Sequence, residues 1–256
     1  MPRILAPISF AATAVAAALA MAQPGANIAP VTGLPIIRVA EPAAASADVD
    51  FLFRLAMMEG HLLVGHELLE AKQAPLAVPH FGHPVKELYD DVGPYLKAKK
   101  FPDFDKDLIA LEAAVTAAPY APATEAKYQA VMATIRKARD LAPQALRASL
   151  PEMIKVCAST IDAASGEYSE AIEQGKITSV VEYHDSRGYL EYVARQVAEL
   201  RKAHPDQQSQ ALLDRFAAVL GKAKAIVGDL LPSPTPKASV DDYRAIAAQA
   251  REVVAK

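Results

Sequence analysis

The segment from residue 48 to residue 73 constrains the fold most, because apolar side chains surround most of its circumference when it is drawn as a helix. At about 100° per residue, one face of this helix carries an apolar stripe. The members of the stripe are Phe51, Leu55, Met58, Leu62 and Leu69. The far side adds Phe53, Met57, Val64 and Leu68. A helix that is apolar on most sides needs neighbours on most sides, so the pattern predicts the central helix of a bundle.

The rest of the chain is typical of helices separated by proline and glycine. Ala, Leu, Glu, Lys and Gln dominate, Trp is absent, and no alternating strand with a hairpin turn stands out. After the central helix we predict a short turn or helical piece to His83 and a helix with Pro84 at its first position. The remaining helices are predicted at 104–118, 122–141, 143–174, 177–203, 206–230 and 239–255. The expected fold class is all-α, a single elongated or globular bundle of about seven to eight helices.

The two ends of the chain carry distinct patterns. Residues 1–22 hold one arginine, an apolar run and a small-x-small pattern that ends at Ala22, which is typical of a cleaved signal peptide. Residues 23–47 are rich in Pro, Ala and Gly and are predicted to form an extended or disordered leader. A helical bundle domain, a Pro-rich linker and an amphipathic C-terminal helix are assigned to residues 48–231, 232–238 and 239–256.

Export and composition narrow the classes of function. A signal peptide without a twin-arginine pattern predicts a periplasmic protein, and no later run of about 18 apolar residues could span a membrane. Cys157 is the single cysteine, so no disulfide within the chain stabilises the fold, and its apolar neighbours indicate a buried core thiol. The net charge of −3, with no basic block, argues against nucleic acid as a partner.

Two stretches of the chain are faintly alike, which raises the alternative of two related helical halves. Residues 65–89 and 168–192 each run as a helix, a short break, a polar segment with aromatic residues and another helix. An alignment that sets His66 beside Tyr168 places His80 beside Glu182 and His83 beside Asp185. An internal duplication would therefore put ligand-type residues in both halves.

Histidines concentrate in one part of the chain. Four of the six lie between residues 57 and 89, namely His61, His66, His80 and His83. On the central helix, Glu59 precedes His66 by one heptad and Glu70 follows it by four residues, so these three side chains are predicted to address one point. The "HFGHP" segment is expected to be irregular and to fold back against that helix. Inward Glu and His side chains are how helical bundles build metal sites.

A second polar segment, "VVEYHDSRGYLEY", holds carboxylates, a histidine and several tyrosines. The first-ranked metal ligands are therefore His66, His80, His83, Glu59, Glu70, Glu182 and His184. The secondary candidates are His61, Glu87, Asp185 and Tyr168. The alternative is that these histidines only cap helices or pair with neighbouring carboxylates, and that segment 180–192 is a plain helix start with internal ion pairs.

Several chemistries lack their motifs. The "HELLE" sequence at 66–70 has Glu70 where a zinc peptidase needs its second histidine. No Cys-x-x-Cys-His attaches haem covalently, although a noncovalent haem held by His61, His66 or Met58 stays open. Nucleophile elbows, phosphate loops and dinucleotide fingerprints are missing from the sequence.

An exported helical chain with His and Glu on an inward face resembles the imelysin-like periplasmic iron-associated proteins. The likeness covers a few residues around Gly65 and His66. It departs from the Gly-x-His-x-x-Glu signature of that family, because Gly65 and His66 are adjacent and Leu69 stands where the glutamate would be. The resemblance adds modest support to metal binding.

Together these patterns predict a periplasmic helical protein that binds a transition metal, iron, zinc or copper, for acquisition, storage or delivery. A periplasmic or inner-membrane protein is the expected partner. The first alternative is a metal-free binding or scaffold module for an organic ligand or a protein. The second is a haem-binding protein or a metal-dependent enzyme, which would need a catalytic base and an open coordination position.

Overall fold

The computed structural model describes residues 43–255, with side-chain surroundings from residue 47 onward. The predicted signal peptide at 1–22 and the leader up to residue 42 lie outside the described residues. The described part is helical, and the predicted all-α class is confirmed. Its helices α1 to α10 are Ala43–Glu70, Ala74–His83, Tyr89–Ala98, Asp105–Ala117, Pro122–Arg139, Gln144–Arg147, Leu150–Ala171, Val180–Ala203, Gln207–Ile226 and Val240–Ala255.

Helix α1 is the central element. It packs against α2, α3, α5, α7 and α8, as its apolar circumference predicts. Leu55, Met58 and Leu62 are fully buried on one side and Leu68 on another. The helix begins at Ala43, five residues before the predicted start, because the Ala-rich sequence at 43–47 favours helix as readily as leader.

After α1 the structure has a helical piece, one of the two predicted forms, and the "HFGHP" segment is helical instead of irregular. Residues 74–83 form α2, and the chain then passes through a π-helical turn, Pro84–Leu88, into α3. Burial of Ala77 and Phe81 against α1 outweighs the proline signal. Pro84 has no N–H to donate, so the regular hydrogen-bond pattern is interrupted there and the chain widens into the π turn. The helical path thus continues through the residue at which a new helix was predicted to start.

A small hairpin separates α7 from α8, where the sequence predicted helix up to residue 174. Strands β1, Ile172–Glu173, and β2, Lys176–Ile177, pair antiparallel. The two turn residues, Gln174 and Gly175, have φ of 50° and 73°. Such left-handed turns match the twist of a tight hairpin, and the glycine adopts this conformation without strain.

Two glycines of α1 allow neighbouring helices to approach closely. A methyl group on Gly60 would lie 3.1 Å from the Cα of Tyr189 in α8, and one on Gly188 would lie 2.3 Å from the carbonyl oxygen of Gly60. A methyl group on Gly65 would lie 3.2 Å from the Cβ of His80 in α2. Helix α8 therefore contacts α1 backbone to backbone at Gly60, and the side chains of α2 pack directly on α1 at Gly65.

The C-terminal helix α10 packs on α7 and α9. Ser239 and Asp242 form the reciprocal cap that their spacing indicates, since the backbone N–H of each donates to the side chain of the other. Tyr243 is fully buried, and its ring centroid lies 5.2 Å from that of Tyr168. Among the described helices, none combines the length and apolar character needed to cross a bilayer.

Candidate metal centre

Three histidines and one aspartate converge where α1, α2 and α8 meet. The carboxylate of Asp185 on α8 contacts His61 from α1 and His80 and His83 from α2. The Nδ1 atoms of His61 and His80 each lie 2.7 Å from Oδ1 of Asp185. The Nδ1 atom of His83 lies 3.1 Å from Oδ2. One possible ligand atom from each of the four residues lies within 4.8 Å of the other three.

The site is closed on most sides. The residues His61, His80 and Asp185 are exposed by 1%, 0% and 2%. The side chain of His83 is 17% exposed, so among the four residues it is the one that reaches the surface. His83 is the last residue of α2, and Glu87 in the π-helical turn places Oε1 3.8 Å from its Nε2. A carboxylate therefore lies at the entrance.

The four groups shift one another's proton affinities. Burial by itself would raise the pKa of Asp185, but the surrounding histidines outweigh burial and hold that pKa well below its usual range. Burial lowers the pKa of His80 despite its bond to the aspartate. Burial opposes a charge on His83 as well, yet Asp185 and Glu87 raise its pKa overall. His83 is thus more readily protonated than His80.

A tyrosine and a glutamate extend the group on the far side of His61. The Nε2 atom of His61 lies 2.8 Å from the hydroxyl of Tyr189, and the carboxyl of Glu167 on α7 lies beside that hydroxyl. Burial raises the pKa of Glu167 to about 8. The neighbouring carboxylates that add to this rise are Asp185, Glu170, Glu87 and Glu182.

The donor set fits a transition-metal ion. Three imidazole nitrogens and one carboxylate are ligands that suit iron, zinc or copper(II). The buried histidines already carry hydrogen bonds that orient their rings toward one carboxylate. Such preorganisation lowers the cost of binding, and ligand binding also requires that the imidazoles be neutral.

The structure brings together some of the predicted ligands and separates others. His80 and His83 from the first-ranked set meet His61 and Asp185 from the secondary set. His66 lies elsewhere, because its Nε2 is 2.9 Å from Oε2 of Glu125 and its ring stacks on Tyr128. The prediction that His66 belongs with His80 and His83 is therefore wrong in its geometry.

The predicted grouping of Glu59, His66 and Glu70 is also wrong. Glu59 is buried and faces Arg139 at 3.7 Å, whereas Glu70 is exposed and lies 3.7 Å from His66. Seven residues return to the same face of a helix but advance about 10 Å along its axis, so Glu59 and His66 share a face without sharing a site.

The remaining candidates surround the centre without joining it. The Nε2 atom of His184 binds the carbonyl of Leu230 at 2.7 Å, and the hydroxyl of Tyr168 donates to the carbonyl of Ala238 at 2.8 Å. Glu182 is only partly buried and stands outside the converging group. The predicted haem ligand His61 uses both ring nitrogens, on Asp185 and Tyr189.

The metal-free protein is expected to become less stable as the pH rises from 6.5 to 8. Folded Glu167 keeps its proton up to about pH 8, whereas unfolded glutamate loses it near its ordinary value of 4.5. The folded state thus binds more protons in this window, and the free energy of unfolding falls with pH. The raised pKa of His83 also makes the free energy of unfolding fall as the pH rises above 6.5. The pKa values of His80 and His184 are lowered, so these two residues change the stability only below pH 6.5.

Chemical unfolding of metal-free protein at pH 6.5, 7.25 and 8 measures this slope. The variant Glu167→Gln has no titratable carboxyl at position 167, so its stability should change less with pH. A wild-type stability that rises with pH across the window, or an equal slope in the variant, would contradict the assignment to Glu167.

One part of the chain is similar to a known protein domain. Residues 143–256 match the family described as the iron permease-associated 4-helix bundle domain. In the structure, α7, α8, α9 and α10 of this part pack on one another. A search of curated proteins and a search of solved structures returned no match. The matched part, less than half of the chain, supplies Asp185, and the three histidines come from the helices that precede it.

Proposed function

We propose that this protein binds one transition-metal ion in the periplasm and delivers it to, or holds it for, a permease in the membrane. The observation that carries the proposal is the buried convergence of three imidazole nitrogens on Asp185, within metal-ligand reach of one another. Helical bundles place metal centres in this way, with donors from facing helices.

Iron is the favoured cargo. The C-terminal part of the chain resembles a domain whose description refers to an iron permease. The donor set accepts iron, although it binds zinc and copper(II) on the same grounds. A permease-associated protein outside the membrane has a simple task, which is to present the ion to the transporter.

Burial supports holding and transfer of an ion over turnover of a substrate. Three of the four ligand residues are almost completely covered. An ion enters or leaves past His83, the one partly exposed ligand, beside Glu87. The raised pKa of His83 gives this entrance a route for release, because protonation of His83 removes one donor while the inner ligands stay in place.

Export is part of the proposal and rests on residues 1–22. Their pattern of one arginine, an apolar run and a small-x-small site is what a secretory signal requires. A periplasmic carrier would meet a permease of the inner membrane from outside.

Metal analysis of the double variant His80→Ala/His83→Ala tests the proposal. Untagged mature protein is loaded anaerobically with Fe(II), and separately with Zn(II) and Cu(II), and then desalted. Wild-type protein should retain about one equivalent, and the double variant should retain none because half of the donor set is gone. The matched control is His66→Ala, which removes another histidine of the same region and should leave the stoichiometry unchanged.

Two results would overturn this assignment. One is a wild-type chain that retains none of the three metals. The other is a double variant that, correctly folded by circular dichroism, retains as much metal as His66→Ala. Either would return attention to an organic ligand, for which a cavity of about 490 Å³ bordered by Arg136, Arg139 and Arg147 is available.

A further inference from the structure

The three histidines contact Asp185 through Nδ1, and their Nε2 atoms have different surroundings. Nε2 of His61 has the Tyr189 hydroxyl at 2.8 Å, and Nε2 of His83 has the Glu87 carboxylate at 3.8 Å. Nε2 of His80 is buried and has no hydrogen-bond partner among the described residues. Since buried polar atoms are nearly always paired, this one calls for an explanation.

A second unpaired nitrogen belongs to the neighbouring ring. His184 on α8 is fully buried, and its ring centroid lies 5.4 Å from that of His80 at an interplanar angle of 70°. Nδ1 of His184 is likewise without a partner among the described residues. Two imidazoles joined by one N–H···N hydrogen bond of about 3 Å would have a similar separation between their centroids.

The tautomer of His184 is fixed by its other nitrogen. Nε2 lies 2.7 Å from the carbonyl oxygen of Leu230, which can only accept, so Nε2 carries the hydrogen. The ring is fully buried and Nδ1 has no acceptor among the described residues, so a hydrogen on Nδ1 would be left unpaired and Nδ1 is the unprotonated nitrogen. Nδ1 of His184 therefore presents a lone pair.

The tautomer of His80 depends on what its Nδ1 contacts. Without an ion, Nδ1–H donates to Asp185 at 2.7 Å, and the unpaired Nε2 carries a lone pair. A neutral imidazole that gives Nδ1 to a cation must carry its hydrogen on Nε2 instead. The two orphan nitrogens are then a donor and an acceptor.

We propose that His184 is a positioning residue that accepts a hydrogen bond from Nε2–H of His80 when the metal site is loaded. The inference rests on the proposed function. It gives each ligand histidine its own outer partner, Tyr189 for His61, Glu87 for His83 and His184 for His80. The hydrogen bond requires the tautomer of the loaded state, and in the metal-free state both nitrogens stay unpaired, so His184 favours binding without touching the ion.

Nuclear magnetic resonance of ¹⁵N-histidine protein, with diamagnetic Zn(II) as the probe, tests the hydrogen bond directly. Metal-free wild-type protein should show His80 as the Nδ1–H tautomer. Zinc-loaded protein should show an Nε2–H on His80, protected from exchange and with scalar coupling to Nδ1 of His184. A loaded His80 whose Nε2–H exchanges freely and shows no such coupling overturns the inference.

Variants test the energetic role of His184. The variant His184→Phe keeps an aromatic ring but has no acceptor, and it should weaken zinc binding about 10- to 100-fold at unchanged stoichiometry. The conservative variant His184→Gln retains an amide oxygen and should recover part of the affinity. Equal zinc affinities for wild-type protein and His184→Phe overturn the inference, and the wild-type spectra decide the matter if the variant does not fold.

The two proposals fail in different ways. A wild-type chain that binds no zinc overturns both. A wild-type chain that binds zinc, and loses it in His80→Ala/His83→Ala but not in His184→Phe, overturns the role of His184 alone.

Discussion

Replacement of Gly188 by alanine is expected to destabilise the fold and to weaken metal binding at the same time. The added methyl group would lie 2.3 Å from the carbonyl oxygen of Gly60 and 3.0 Å from Cβ of Val64. These atoms belong to, or lie next to, the backbone of α1 and cannot rotate away. Helices α1 and α8 must therefore move apart, at a cost of about 1–3 kcal/mol.

The same movement would disturb the metal centre. Gly60 precedes His61, and Gly188 lies between Asp185 and Tyr189, so the crossing point carries the contacts of 2.7 and 2.8 Å that hold His61. A shift of a few tenths of an ångström lengthens both. Urea unfolding and zinc titration of Gly188→Ala measure the two effects.

A matched control is available on α7. Gly166 is also helical, but a methyl group there would meet nothing within 4 Å. Gly166→Ala should stabilise the protein by about 0.5–1 kcal/mol, because alanine loses less conformational freedom in a helix, and zinc affinity should not change. If Gly188→Ala is as stable as the wild-type protein and binds zinc as tightly, the close helix crossing is not what positions the site.

Replacement of Asp185 by asparagine is expected to reduce metal affinity by at least about 100-fold, more than the loss of a typical outer partner. The carboxylate contacts all three histidines, and it is the single anionic donor of the group. An amide preserves the shape but brings no charge to a buried cation. Competition titration against a chelator of known affinity measures the loss.

This change should also lower the free energy of unfolding of the metal-free protein. The carboxylate accepts hydrogen bonds from buried His61 and His80, and charge-assisted bonds of this kind contribute about 1.5–3 kcal/mol each. The matched control is Glu125→Gln, which alters another His–carboxylate pair, that of His66 at 2.9 Å, and should leave metal affinity unchanged. If Asp185→Asn binds metal as tightly as Glu125→Gln, Asp185 is not a ligand.

Some of the site was accessible from local sequence. His80 and His83 are three residues apart, and any helical path brings both to one face of α2. The sequence of α1 holds two further signals, because Gly60 and Gly65 each precede a histidine within an otherwise apolar helix. A glycine inside a buried helix marks a close approach of a neighbouring helix. The structure has such an approach by the backbone of Tyr189 at Gly60 and by the side chains of His80 and Phe81 at Gly65.

The choice between His61 and His66 could not be made from sequence. The two residues are five apart on α1 and point about 140° away from each other. Because α1 is apolar on most sides, periodicity does not say which side meets α8 and which meets α5. The crossing of Gly60 with Gly188 turns His61 toward Asp185, and His66 is left to pair with Glu125.

The sequence alone determined the helical class, the central position of α1 and the concentration of candidate ligands in one stretch, because these follow from local propensity and the spacing of apolar residues. Only the tertiary structure decided that Asp185, more than a hundred residues beyond His80, completes the group. Periodicity acts within one helix, whereas the partner of a buried histidine is set by which helices can approach closely enough to touch.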